Sequence, residues 1–181
     1  VLEEAADNIG GGAPGDCTGC LRALITHEID NAGVCLNDPE AVRKLEGIEI
    51  GEQISLPLGG KVSRLDRGPL DLKVKLLSRS SGHFELENKQ SHLASICGDF
   101  FDMGPCAVVL HGGVKILLTT NKTAPFDLGQ WRSQGINPEE LNVIVVKAAV
   151  AHRGAYDPIA ARSFTVDTPG PCSSNLNQLP Y

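Results

Sequence analysis

The sequence is poor in aromatic residues. They make up 4% of its 181 positions, and Met and Trp occur once each. A core must then come mainly from Leu, Val, Ile and Ala, and the chain is long enough for one domain with such a core. No basic run exists to neutralise phosphates, and the formal net charge is -6. Nucleic acid is therefore not an expected partner. No apolar run approaches the roughly 18 residues a membrane span needs, so no membrane partner is expected either. The N-terminus lacks the basic-then-apolar pattern of a secretory signal, and the expected compartment is cytoplasmic. The chain opens at Val1, without Met, almost directly in a structured element. That fits one domain of a longer chain, although tag removal would look the same. Cys17, Cys20, Cys35, Cys97, Cys106 and Cys172 are too scattered for a disulfide scaffold. Asn121-Lys122-Thr123 matches the glycosylation triplet, which matters only for a secreted protein.

What the chain does have is Asp7-Asn8-Ile9-Gly10-Gly11-Gly12-Ala13-Pro14-Gly15-Asp16. Glycines at this density suit a backbone that needs positive φ, or one that something must approach closely. Apolar residues precede the stretch and a helical pattern follows, so it reads as a strand-to-helix turn. Asp16 is the expected N-cap. Behind it Cys17, Cys20, Leu21, Leu24 and Ile25 fall on one apolar helical face, which makes the Cys-x-x-Cys pair two small core residues.

Ala32–Leu36 reads as a short strand. Asp38-Pro39 is a strong helix start, and that helix stops near Gly47. Ile54, Leu56 and Leu58, then Leu70, Leu72, Val74 and Leu76, alternate with polar residues and predict antiparallel strands, the first at an edge because of Pro57. His83–Leu86 is a further short strand, and residues 88–104, without a period, read as loop. Ala107–Leu110 and Val114–Thr120 form a hairpin around His111-Gly112-Gly113, with His111 as a polar turn residue. Asp127 caps a short helix carrying Leu128 and Trp131. Val143–Val146 is a continuous apolar run, hence a strand covered on both faces, and it leads into Lys147 and His152-Arg153. Tyr156-Asp157-Pro158 opens a short helix, and Ser163–Val166 is a last strand. The expected fold class is α/β: a single domain over 1–181, with a mixed sheet, a largely antiparallel middle and several short helices.

Gly10 to Gly15 also fits G-x-G-x-x-G, with Asp38 at ribose-contact spacing. Pro14 removes a donor, however, and Asp16 places a negative charge where a pyrophosphate would sit. The chain also lacks repeated βαβ units. A tight turn whose acids bond the local backbone needs only one or two glycines. The excess points to a site in which Gly10, Gly11 and Gly12 supply donors to a carboxylate or a developing oxyanion. If the strand ending at Lys147 lies beside the first strand, His152 and Arg153 could converge on it.

The stretch from Ala5 to Asp16, with Thr18, resembles the opening of the C-terminal domain of the microcystinase C (MlrC) family. Val145-Val146-Lys147, Arg153, Pro158-Ile159-Ala160, Val166-Asp167, Pro169-Gly170 and Leu179-Pro180-Tyr181 follow in the same order and spacing. The resemblance implies a zinc-dependent metallopeptidase acting on small peptides, with its metal ligands in an N-terminal domain that this chain lacks. In agreement, no His-x-Asp or His-Glu-x-x-His motif occurs, and His27, His83, His92, His111 and His152 are widely spaced. No metal ligand is assigned in this chain, which alone should be inactive. Asp7, Asn8, Gly10, Gly11, Gly12, Asp16, Lys147, His152 and Arg153 are the candidate substrate-binding residues, forming one wall of an interdomain cleft. The expected partners are the N-terminal metal-binding domain, a small peptide and a possible homodimer mate. The competing reading is a non-catalytic dimerisation or small-anion-binding module.

Overall fold

Alternating apolar residues select half-buried strands, and unbroken apolar runs select strands covered on both faces. Both kinds occur here and share one sheet. In the computed structural model, which describes residues 1–175 and 177 (His92 by its backbone alone), the parallel half contains five strands. These are β1 (Leu2–Glu3), β2 (Ala32–Asn37), β8 (Val114–Thr119), β9 (Val143–Val146) and β10 (Phe164–Thr165). The antiparallel half adds β3 (Gln53–Leu58), β4 (Leu70–Ser80) and β7 (Cys106–His111). The order across the sheet is β10-β1-β9-β2-β8-β7-β4-β3. Pro57 therefore lies on an edge strand, where its missing N–H costs no ladder bond. A small second sheet pairs β5 (His83–Glu85) with β6 (Phe100–Asp102).

The pleat sorts the core into two layers. Val34 and Leu36 of β2, with Ile116 and Leu118 of β8, face α1 (Gly19–Thr26) and α2 (Pro39–Leu45). Leu56, Leu58, Leu72 and Val74 join this layer, because the β3–β4 hairpin curls back over it. The opposite layer takes Cys35, Leu117, Ile144 and Val146, and packs them on Trp131 of α4 (Gly129–Arg132) and Tyr156 of α5 (Arg153–Tyr156). The Trp131 indole N–H donates to the Tyr156 hydroxyl at 3.0 Å, which satisfies both polar tips in the interior.

The structure departs from the sequence expectations in several places. β1 is only two residues long and gives way to a 3-10 turn at Ala5–Asp7. Helix α1 begins at Gly19, so Asp16 does not cap it and Cys17 precedes it. Both cysteines of the Cys-x-x-Cys pair are nevertheless buried free thiols. Residues 88–104 are not all loop: α3 (His92–Cys97), capped by Ser91, and β6 lie there. Tyr156-Asp157-Pro158 ends a helix rather than opening one. His111 closes β7 and its Nδ1 lies 2.9 Å from the Lys73 carbonyl oxygen. Leu179-Pro180-Tyr181 lies outside the described residues.

The Asp38 cap is present, and it holds more than its helix. One oxygen accepts from the Ala41 amide at 3.0 Å and the other from the Gly59 amide at 2.9 Å. Lys61 Nζ lies within 2.9 Å of both oxygens. One buried carboxylate thus starts α2 and fastens the returning hairpin tip. Asp38→Ala should lower unfolding free energy by about 2–3 kcal/mol in urea denaturation, against about 1 for an ordinary N-cap.

Candidate functional site

The parallel half places the carboxyl ends of β1, β9, β2 and β8 along one edge, where α/β sheets commonly carry their ligands. The glycine stretch leaves β1 on this edge. It forms a loop whose tip is exposed and whose base is buried: Gly10, Gly11 and Gly12 are in solvent, while Asp7 and Ala13 through Thr18 are covered.

Lys147 sits under that base. It follows β9 directly, and β9 pairs with β1 in parallel, Glu3 opposite Val146. The side chain is 2% exposed. Its Nζ donates to Glu4 Oε2 at 2.6 Å, Asp7 Oδ2 at 2.8 Å and the Cys17 carbonyl at 2.7 Å, which uses all three ammonium hydrogens. Burial would push the ammonium pKa down, but the charges of Glu4 and Asp7 outweigh it and raise it. Asp7 then closes the loop on itself. Its Oδ1 accepts from the Gly15 amide at 2.9 Å and its Oδ2 from the Cys17 amide at 2.8 Å. Glu4 Oε1 accepts from the Cys20 amide and so ties in the first turn of α1.

The loop's own backbone is largely committed. The Gly11 and Gly12 amides donate to the Asn8 and Ile9 carbonyls, and the Ala13 amide also reaches Asn8. Gly15 is required twice over: its φ is +78°, and a Cβ there would stand 2.6 Å from Ile9 Cδ1. Its carbonyl accepts from the Asn37 amide, which docks the loop on β2.

Asp16 has turned away from the helix that follows it. Its Oδ2 accepts from the Lys61 and Val62 amides at 2.7 and 2.8 Å, so it holds the β3–β4 hairpin tip. Its Oδ1 is buried without a partner. Burial raises the pKa of this carboxyl, against the pull of the two amides.

His152 and Arg153 gather on Glu3 rather than on the glycine tip. His152 is fully buried, with Nε2 3.2 Å from Glu3 Oε1. Because a carboxylate can only accept, Nε2 is the protonated nitrogen, and Nδ1 is left buried without a partner. Burial lowers the imidazole pKa, with Glu3 opposing. Burial also acts on Glu3 itself, in the raising direction. The Thr165 hydroxyl, 2.7 Å away, and the neighbouring His152 and Arg153 overcome it and hold Glu3 below the usual carboxylate range. Arg153 remains about half exposed, with Nε 3.7 Å from Glu3 Oε1. Sequence reasoning did not single out Glu3 or Glu4. The available signal was a pair of acids at the end of a strand, followed directly by Ala5-Ala6.

Comparison with known proteins gives one consistent picture. The family model described as MlrC C-terminus matches residues 2–181. Microcystinase C from Sphingomonas sp. is 26% identical over 152 residues, which are 82% of this chain and 28% of that protein. A crystal structure named "Putative metallopeptidase", from Mesorhizobium sp. BNC1, superposes with a TM-score of 0.86 at 24% identity, over 99% of this chain and 35% of that one. At that identity the likeness establishes the fold. The chain thus spans about a third or less of the length of the relatives it matches.

Removing Lys147 would leave two acids buried without their counter-charge. Lys147→Met should destabilise the fold by about 3–5 kcal/mol in urea denaturation, the cost of breaking a buried pair from one side. His152 should set an acid limit. In the unfolded chain it takes up a proton near pH 6.5, and in the folded chain only at lower pH. The unfolded state then binds more protons in that window, so stability falls as pH drops below about 6.5. The thermal midpoint should decline between pH 7 and 5.5, and His152→Gln should flatten that decline.

Proposed function

Because the chain belongs to the MlrC C-terminus family, we propose that it is the C-terminal domain of a metallopeptidase that hydrolyses peptide bonds in small peptides. The supporting observation is the construction of the glycine loop. Its tip offers bare backbone to solvent, and its base is fixed by a buried ammonium with two carboxylates. A fold that needed only a turn would not require that anchoring.

The candidate residues divide by position. Gly10, Gly11, Gly12 and the half-buried Asn8 form the wall that meets the peptide. Arg153, with its guanidinium half in solvent, is placed to take a substrate carboxylate. Lys147, Asp7, Asp16 and His152 are positioning residues that hold the wall and the short helix beside it. The Gly11 and Gly12 amides are spent within the loop, so what is preorganised is the shape a substrate meets.

Among the described residues, no group of three or more His, Cys, Asp or Glu side chains could hold a metal ion. The acids nearest the loop are already spent on Lys147 and on backbone amides. The described residues do not fit a zinc centre. In this reading zinc belongs to the N-terminal domain of the full-length enzyme, and the glycine wall faces it across a cleft.

The test is zinc titration and peptide hydrolysis, on this chain alone and with an N-terminal metal-binding domain supplied. Zinc binding and hydrolysis should appear only with both. Stoichiometric zinc or hydrolysis with the chain alone would overturn this division of labour.

A further inference from the structure

Next to the glycine tip is a cavity of about 150 Å³ that the wall itself does not use. Phe126 links the two. Its ring edge lies 3.0 Å from where a Cβ on Gly10 would stand, and the same side chain lines the cavity. Leu93, which is buried, supplies another large apolar surface. The remaining apolar lining is small: Ala151, Gly154 and Ala155, in and just before α5. Asn88 and Ser91 contribute its polar atoms.

Gly154 is the informative residue. Glycine inside a helix costs about 1 kcal/mol relative to alanine. The usual reasons for it are missing: its φ is not in the left-handed region, and a Cβ placed there would meet no atom within 4 Å. Gly154 is exposed, and what its absent side chain leaves is an open mouth to the cavity. That volume is also held rigidly. The Ala155 and Tyr156 amides both donate to the His152 carbonyl. His152 is fixed by Glu3, and Tyr156 by Trp131. On the other side, Asp127 Oδ2 accepts from the Glu87 and Asn88 amides and fixes the chain leading to Leu93.

A partly open cavity of this size, lined chiefly by apolar atoms, has room for a group about as large as benzene. We propose that it is the seat for one aliphatic or aromatic side chain of the peptide, next to the residue whose backbone meets the glycine tip. This rests on the peptidase reading and adds a substrate preference to it: an apolar residue beside the wall.

The experiment is an NMR amide-shift titration of this chain with N-acetyl-leucinamide, with N-acetyl-glutaminamide as the polar control. The leucine probe should shift Gly10, Leu93, Phe126, Gly154 and Ala155 saturably, and the glutamine probe should bind at least tenfold more weakly. Gly154→Leu puts a side chain across the cavity mouth at an exposed position with room for it, so it should fold with an unchanged thermal midpoint and lose at least tenfold in leucine-probe affinity. Equal shifts with both probes, shifts centred on the groove around Val1, Leu141 and Phe164, or unchanged binding in a folded Gly154→Leu protein would each overturn the assignment. The probe offers no bond to hydrolyse, so the outcome is separate from that of the zinc and hydrolysis test. Probe binding without hydrolysis by the two-domain assembly would refute the peptidase reading alone. Hydrolysis without probe binding would refute the pocket alone.

Discussion

A single ammonium group underlies the carboxyl edge of this sheet. Glu4 and Asp7 enter the interior where β1 ends, and neither could remain there charged without a partner, since an isolated buried carboxylate is far too costly. Lys147 supplies the partner from the end of β9. The three bonds it makes fix the 3-10 turn after β1, the return of the loop at Cys17 and, through Glu4, the start of α1. A buried ion pair of this kind adds little net stability compared with an apolar replacement. What it contributes here is geometry, because each acid has a second set of partners among backbone amides that it can reach in one arrangement.

Acids serve the same purpose elsewhere in the domain. Asp16, Asp38 and Asp66 each accept backbone amides across gaps of tens of residues, and together they fasten the tip of the β3–β4 hairpin near the glycine loop. The mildly acidic composition is therefore partly structural. With few aromatic residues to lock the two layers, carboxylates closing loops onto amides supply much of the specificity. The Trp131–Tyr156 pair does the corresponding task on the other face.

What could be read from the sequence was local. Asp38-Pro39 announces a helix because the cap and the first-turn proline act within three residues. Val143–Val146 announces a doubly covered strand because its neighbours must be apolar whatever they are. The alternation in β3 and β4 gave the antiparallel part for the same reason. The misreadings come from long-range competition. Asp16 has the right chemistry for a cap, but Lys61 and Val62, 45 and 46 residues away, offer their amides to it instead. Lys147 and His152 were identifiable as chemistry at the end of a buried strand. That both turn inward depends on Glu3, Glu4 and Asp7, whose partners no local pattern reveals. Helix α3, at six residues, is too short to show a period.

The span of those contacts also bears on the order of assembly. Glu4 and Asp7 lie 143 and 140 residues from the lysine that neutralises them. During synthesis the glycine loop emerges some 140 residues before the lysine that neutralises it. Closing so distant a contact carries the loop-closure entropy that slows folding. The loop is made well before the group that anchors it. Burying its two acids before β9 docks beside β1 would leave them unpaired in the interior, a cost that ties the fixing of the loop to the closing of the sheet.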